Sequence, residues 1–336
     1  MKLAATTGTN ARPPTPDFVR RLERAGFDSI WTAEDWGLDA VSQLAWVGSH
    51  TSTIRLGTSI MQLPARSPGA TAMTAATLAT LSGGRFILGL GPSGPQVAEG
   101  WHGVAYGKPI TRLREYVSVV RRMLAADGPV EHAGEYYQLP FRGEGASGLG
   151  KALRLNTKSL HPVPIYLAAM GPKALATGAE IADGVISTLV DADRLDHLEA
   201  ALVPGLQASG RTRDRLTVVV NVSVVAGDDV AACFDRMRPA FARTIGGYGA
   251  RSKNFYADQI TRGGWGGVAA KVQELYLAGR RDEAAAAIPD EQLDAYAHAG
   301  PPARIAARAR RYERADILML NAQDADLLDA IVEHLS

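Results

Sequence analysis

The sequence predicts a (β/α)8 barrel, an α/β fold in a single domain. Three observations lead there. The first ninety residues read strand, helix, strand, helix, strand, helix, strand with connections of a few residues, an alternation that requires parallel pairing. The run Leu216 to Val225 has continuous and then alternating valines, as expected of a strand buried on both faces. Eight such strands, each followed by a helix, favour closure over an open doubly wound sheet. At 336 residues and 46% hydrophobic content the chain can bury a core of that size. The domain is read as 1–336, with insertions at about 127–163 and 246–299.

The elements follow in order. Met1 to Gly8 reads as a short buried strand, and the proline-dense turn NARPPTP leads to a helix start near Asp17. The helix Phe18 to Ala25 stops at Gly26. Asp28 to Ala33 is the second strand, ending in Glu34, Asp35 and Trp36, and a helix runs from about Asp39 to Ser49. Ile54 to Gln62 is the third strand, followed by a helix from about Gly69 to Leu81. Arg85 to Leu90 is the fourth, and Ser82 to Gly103 carries it into a glycine-rich loop with no immediate helix. Thr111 to Ala125 spaces Leu113, Tyr116, Val117, Val120 and Leu124 as a helix does.

After the first insertion, which is long enough to be a functional loop or an excursion with a small hairpin, Pro164 to Met170 is the fifth strand. A helix opens at Gly171 and Pro172. The sixth strand is DGVISTLV, and Leu195 to Gln207 is its helix. The seventh, Leu216 to Val225, is followed by a helix from Asp228 to Thr244 and by several short helical pieces over the second insertion. Helix Pro301 to Tyr312, strand Asp316 to Asn321 and helix Asp324 to Leu335 close the chain.

Composition excludes several classes of function. Formal charge is +1, from 36 basic and 35 acidic residues without long runs of either sign, so no polyanion surface is advertised and no nucleic-acid partner is expected. Cys233 is the single cysteine, which rules out an internal disulfide and a thiolate cluster. The seven histidines lack ligand spacing, so no metal is expected. No apolar run reaches membrane-spanning length and MKLAATTG lacks a signal h-region, so a cytoplasmic protein without membrane partners is expected.

In such barrels chemistry sits at the C-terminal strand ends. Of Glu34 and Asp35, one can face the mouth as a general acid, while the alternative is that Asp35 caps a turn and Glu34 is solvated. Ser59, Ile60 and Met61 can line a flat apolar wall or simply be core. In AAMGPKA, Gly171, Pro172 and Lys173 place free N–H groups, a helix dipole and a cation together, which suits a phosphate; an ordinary Gly-Pro helix start reads the same way. The glycines 89, 91 and 94 would let a ligand approach the backbone closely, or make a tight turn. Gly-x-Ser-x-Gly and P-loop motifs are absent.

GFDSIWTAE (26–34), RLGTSIMQLPARSP (55–68), LSGGRFILGLGPSGPQ with GWHG, GEYYQLP (134–140) and IYLAAMGPKALATGAEIADG (165–184) together resemble the luciferase-like monooxygenase superfamily, and within it the coenzyme F420-dependent oxidoreductases. The resemblance covers nearly the whole chain. It implies a bacterial-luciferase-like barrel, a deazaflavin across its mouth, and hydride transfer to or from a small organic substrate. Ala169, Met170, Gly171, Pro172 and Lys173 would meet the cofactor phosphate. Ser59, Ile60 and Met61 would back its ring, with a cis peptide at Ser59–Ile60 forming a bulge at the end of the third strand, and Ser93 and Gln96 would lie near it. Glu34, Asp35, Glu99 and His102 are the catalytic candidates, although family members that carry Asp-His at the second strand end differ from Glu34-Asp35 here. A homodimer through the second and third helices is also implied. Other readings are an FMN-dependent monooxygenase of the same superfamily and a non-catalytic flavin- or ligand-binding barrel.

Overall fold

Eight parallel strands close on themselves in the computed structural model, which describes residues 1–7, 13–248 and 254–335. They are β1 (Lys2–Thr6), β2 (Ser29–Thr32), β3 (Arg55–Thr58), β4 (Phe86–Gly91), β5 (Ile165–Ala168), β6 (Gly184–Thr188), β7 (Thr217–Ala226) and β8 (Ile317–Asn321). Each pairs with the next, and β8 returns to β1, with Lys2 opposite Ile317 and Thr6 opposite Asn321. The barrel expected from the strand count is the fold observed. Gly8 of the first expected strand, and Asn10 to Arg12 of the following turn, lie outside the described residues.

The barrel is filled rather than hollow. Trp31, Tyr166, Ile87, Val219 and Met319 meet inside it. Trp31 is fully buried, its indole N–H donates to Ser29 Oγ at 2.9 Å, and it lies flat across Gly57 of the neighbouring strand. A Cβ at Gly57 would stand 2.2 Å from the indole ring, so a large residue on β2 requires the smallest on β3. A second apolar layer packs between strands and surrounding helices.

Those helices begin where their sequences direct. Thr15 accepts from Phe18 N at 3.3 Å, Asp39 from Ser42 N at 2.8 Å and Ser67 from Ala70 N at 3.2 Å, the last just before Pro68. The resulting helices are Pro16–Arg24, Ala40–Ser49 and Pro68–Leu81.

Three expectations need correction. The third run is two strands, β3 and the short strand Met61–Gln62, because a bulge interrupts it after Thr58. The loop after β4 does open a helix, Pro95–Gly100, with Gly94 as its N-cap. The second insertion also contains a strand, Ala297–Gly300, which pairs with Ser223–Ala226 where β7 runs beyond the barrel rim. Around it the insertion helices pack against the helix Val230–Gly247, forming a second core with Cys233, Phe234, Met237 and Ile245 of that helix and Val272 of the insertion. The first insertion takes the hairpin alternative, His132–Ala133 pairing with Gln138–Leu139. Glu115 holds its turn by accepting from the backbone N–H groups of Glu135, Tyr136 and Tyr137.

Candidate functional site

At the C-terminal rim, β3 carries one residue more than β4: Gly57 pairs with Ile87, but Met61 pairs with Leu90. The peptide between Ser59 and Ile60 inside this bulge is cis. Thr58 ties the displaced backbone to β4, its hydroxyl accepting from Gly89 N and donating to Gly89 O, both at 2.8 Å. A Cβ at Gly89 would lie 1.7 Å from the Thr58 carbonyl oxygen, and one at Gly91 would lie 2.7 Å from Ile60 Cδ1. These two glycines therefore admit the neighbouring strand. The bulge leaves Ser59 and Ile60 half-buried, with Ile60 against the barrel interior, whereas Met61 is buried in the outer layer.

Beside the bulge, the end of β2 is tied down by ion pairing and hydrogen bonds. The Glu34 carboxylate, only 8% exposed, accepts from Arg66 at 2.7 Å and from Gln62 N at 3.3 Å. Burial works against the charge on Arg66, but Glu34 and Asp39 outweigh it and hold the guanidinium above its ordinary value. Asp35 turns onto its own loop, accepting from Gly37 N at 2.9 Å. The Gln62 side-chain amide donates to the carbonyls of Glu34 at 2.8 Å and Asp35 at 3.3 Å, and its oxygen faces His102 Nε2 at 2.8 Å.

Gln62 was not among the residues the sequence singled out. It is 3% exposed and joins Glu34, Asp35 and His102 into one chain of contacts. The available signal was a lone polar residue at the end of an apolar strand.

In the loop after β4, Ser93 takes a left-handed conformation (φ 60°) before the helix Pro95–Gly100, and Gln96 folds back over Gly94. Glu99 is exposed and accepts from Tyr106 N at 3.1 Å, which closes the loop on itself. Tyr106 is buried, a state that pushes its hydroxyl up to about 12, and its ring lies 6.5 Å from that of Phe255. Trp36 faces Tyr248 at 5.9 Å, and Tyr248 faces Tyr256 at 5.7 Å. These aromatics join the strand ends to the second insertion. No periodic pattern marked them in the sequence.

At the end of β5, Ala169 N donates to Ile186 O at 2.9 Å, so the chain leaves the sheet beside β6. Gly171 is the N-cap of the helix Pro172–Ile181 and offers no side-chain acceptor, which leaves the first-turn N–H groups pointing outward. Lys173 is exposed in that turn. A cavity of about 280 Å³ opens beside it, lined by Met170, Pro172, Ser187, Arg194 and Arg262 among others. The two arginines come from elements more than twenty residues apart from the motif, and sequence alone gave no reason to pair them with it.

The model of the luciferase-like monooxygenase family matches residues 3–318. The chain belongs to that family. A Mycobacterium tuberculosis protein provisionally named a coenzyme F420-dependent oxidoreductase is 44% identical over 95% of this chain and 94% of its own length. The 5,10-methylenetetrahydromethanopterin reductase of Archaeoglobus fulgidus is 27% identical over 91% of this chain and 87% of its own. Among solved structures, the coenzyme F420-dependent tetrahydromethanopterin reductase of Methanopyrus kandleri superposes with a TM-score of 0.77 at 20% identity, covering 99% of this chain and 98% of that one. That last likeness concerns the fold. Among the described residues no helix is long and apolar enough to cross a membrane, and no cluster of three or more metal-ligating side chains forms.

Proposed function

We propose that this luciferase-like enzyme is a coenzyme F420-dependent oxidoreductase that moves a hydride between the deazaflavin and a small organic substrate. The observation that carries the reading is the 44% identity, over nearly the full length, to a relative whose name specifies that coenzyme.

The residues present fit such a group. Ile60, Gly91 and Ala168 meet closely enough that a Cβ on the glycine would collide, giving a smooth apolar surface at the mouth. The uncapped N-terminus at Gly171 with Lys173 offers N–H groups and a cation to a phosphodiester. When bound, F420 supplies or accepts the hydride at its ring carbon. The protein's part is to hold Ser59 and Ile60 behind the ring, to anchor the phosphate over Ala169 to Lys173, and to move a proton at the substrate.

For that proton His102 is the favoured group. Glu34 is committed to Arg66, Asp35 to its turn and Glu99 to Tyr106 N, whereas His102 is held at one ring nitrogen only by Gln62. Ser93 and Gln96, at the opening of the short helix, are placed at the ring's edge in this reading. The substrate is a small molecule, and the assembly is a homodimer through Ala40–Ser49 and Pro68–Leu81, helices that expose Trp46, Met73 and Leu81.

Fluorescence titration of the purified protein with oxidised F420, reduced F420 and FMN tests the reading. Saturable binding of F420 is expected, weakened when Lys173 is replaced by alanine. Tight FMN binding with none for F420 would overturn it.

A further inference from the structure

We propose that Arg194 and Arg262 form a second anion site beyond the cofactor phosphate, and that it binds the carboxylates of the coenzyme's glutamyl tail. The proposal rests on the F420 reading above. Chemically, that coenzyme's side chain continues past its phosphodiester into lactyl and glutamyl groups, whereas FMN ends at its phosphate.

The two guanidiniums are placed by the fold. A Cβ on Gly171 would lie 3.6 Å from Arg262 Nη2, so this arginine stands over the N-cap of the helix Pro172–Ile181. Arg194 Nη1 donates to the Arg262 carbonyl at 3.3 Å. Gly264, with φ 95° inside the π-turn Thr261–Trp265, lets the chain bend there, and a Cβ would come within 3.2 Å of Arg194 Nη2. Gln259 sets the orientation: its amide donates to Leu189 O at 3.2 Å, and its oxygen accepts from Arg262 Nη2 at 2.9 Å.

Neither guanidinium has a carboxylate within 4 Å among the described residues, whereas Arg66, Arg114, Arg213 and Arg304 all do. An unpaired pair of forked donors beside a helix N-terminus is suited to planar bidentate anions. The cavity between them also exposes a need for partners. Ser187 Oγ and Tyr296 Oη both line it, on residues 1% and 3% exposed, and neither has a hydrogen-bond partner. The acid on its lining, Asp191, is engaged with Asp193 N at 3.0 Å, so cations outnumber it.

The test titrates the full chain with three probes: the deazaflavin riboside without phosphate, the phospholactyl form without glutamate, and the glutamylated coenzyme. The wild type is expected to bind the glutamylated form about tenfold more tightly than the phospholactyl form, as two charge-assisted contacts allow. In R194Q/R262Q that preference should shrink to about twofold or less, with riboside affinity unchanged as the control for folding. Equal wild-type affinity for the two phosphate-bearing forms would remove the tail site and leave the F420 reading standing. Failure of all three probes to bind would remove the F420 reading itself. If the double variant keeps its preference for the glutamylated form but loses binding of inorganic phosphate, the arginines serve an anionic substrate and the proposal falls.

Discussion

His102 Nε2 lies 2.8 Å from Gln62 Oε1, and this contact fixes which ring nitrogen carries hydrogen. The Gln62 amide nitrogen is engaged with the carbonyls of Glu34 and Asp35, which can only accept, so its oxygen must be the atom facing the imidazole. Nε2 is then the N–H, and Nδ1 is left to take or give a proton.

Replacing His102 with alanine should therefore lower kcat by about a hundredfold, the usual scale for losing a general acid or base, with F420 affinity nearly unchanged. Q62E should also lower turnover, because it removes the donor to the Glu34 and Asp35 carbonyls and so releases the side chain that orients the imidazole. Turnover followed by the coenzyme's absorbance reads both. An unaltered kcat in H102A would assign proton transfer elsewhere.

The Glu34–Arg66 pair makes a stability prediction. Removing Arg66 as R66M leaves a buried carboxylate without its partner, at a cost of roughly 3 kcal/mol. Urea denaturation should show most of that loss recovered in E34Q/R66M, since a neutral amide at Glu34 no longer requires a cation. A double variant as unstable as the single one would mean that Arg66 acts through its packing.

Gly89 and Gly91 should respond differently to alanine. At Gly89 the added methyl meets a backbone carbonyl that cannot move without breaking the Thr58 hydrogen bonds, so G89A should yield little folded protein. At Gly91 it meets the tip of the Ile60 side chain, which can rotate. G91A should fold, lose about 1–2 kcal/mol, and bind F420 less tightly because Ile60 is pushed into the ring's place. Soluble yield and cofactor titration together check the pair.

His298 predicts acid sensitivity. Burial pushes its imidazole down to about 4 from the ordinary 6.5, with Arg304 and Arg308 adding to the effect and Asp294 opposing it. The folded state keeps the ring neutral while the unfolded chain takes up a proton. Its contribution is thus complete above pH 6.5 and is lost as pH falls from there to about 4, to a total of about 3 kcal/mol. Thermal midpoints across that range should fall more steeply in the wild type than in H298L. Parallel slopes would exclude His298 as the source.

Much of the architecture was legible in the chain because periodicity and punctuation are local. Valine runs, the proline-dense turn ahead of Asp17, Asp39 at a helix start, and glycines at strand ends act through neighbours a few residues away. The resemblance likewise implied the Ser59–Ile60 cis peptide, which the structure contains. The bulge there was implied by the resemblance, not by the residues of Ile54 to Gln62 themselves, which carry no spacing that marks an extra residue; the pairing with β4 shows it.

The site divides in the same way. Sequence determined which types of group stand at the strand ends: carboxylates after β2, a phosphate-suited helix start after β5, a glycine-rich loop after β4. Tertiary structure decided which of them are already engaged. Glu34 meets Arg66 thirty-two residues away, Gln62 reaches His102 across forty, and Arg262 arrives over Gly171 from the second insertion. Such encounters depend on how the barrel closes and on how an insertion folds back over it. Distance along the chain carries no information about them, so the partners that assign each side chain its task appear only when the strands are in register.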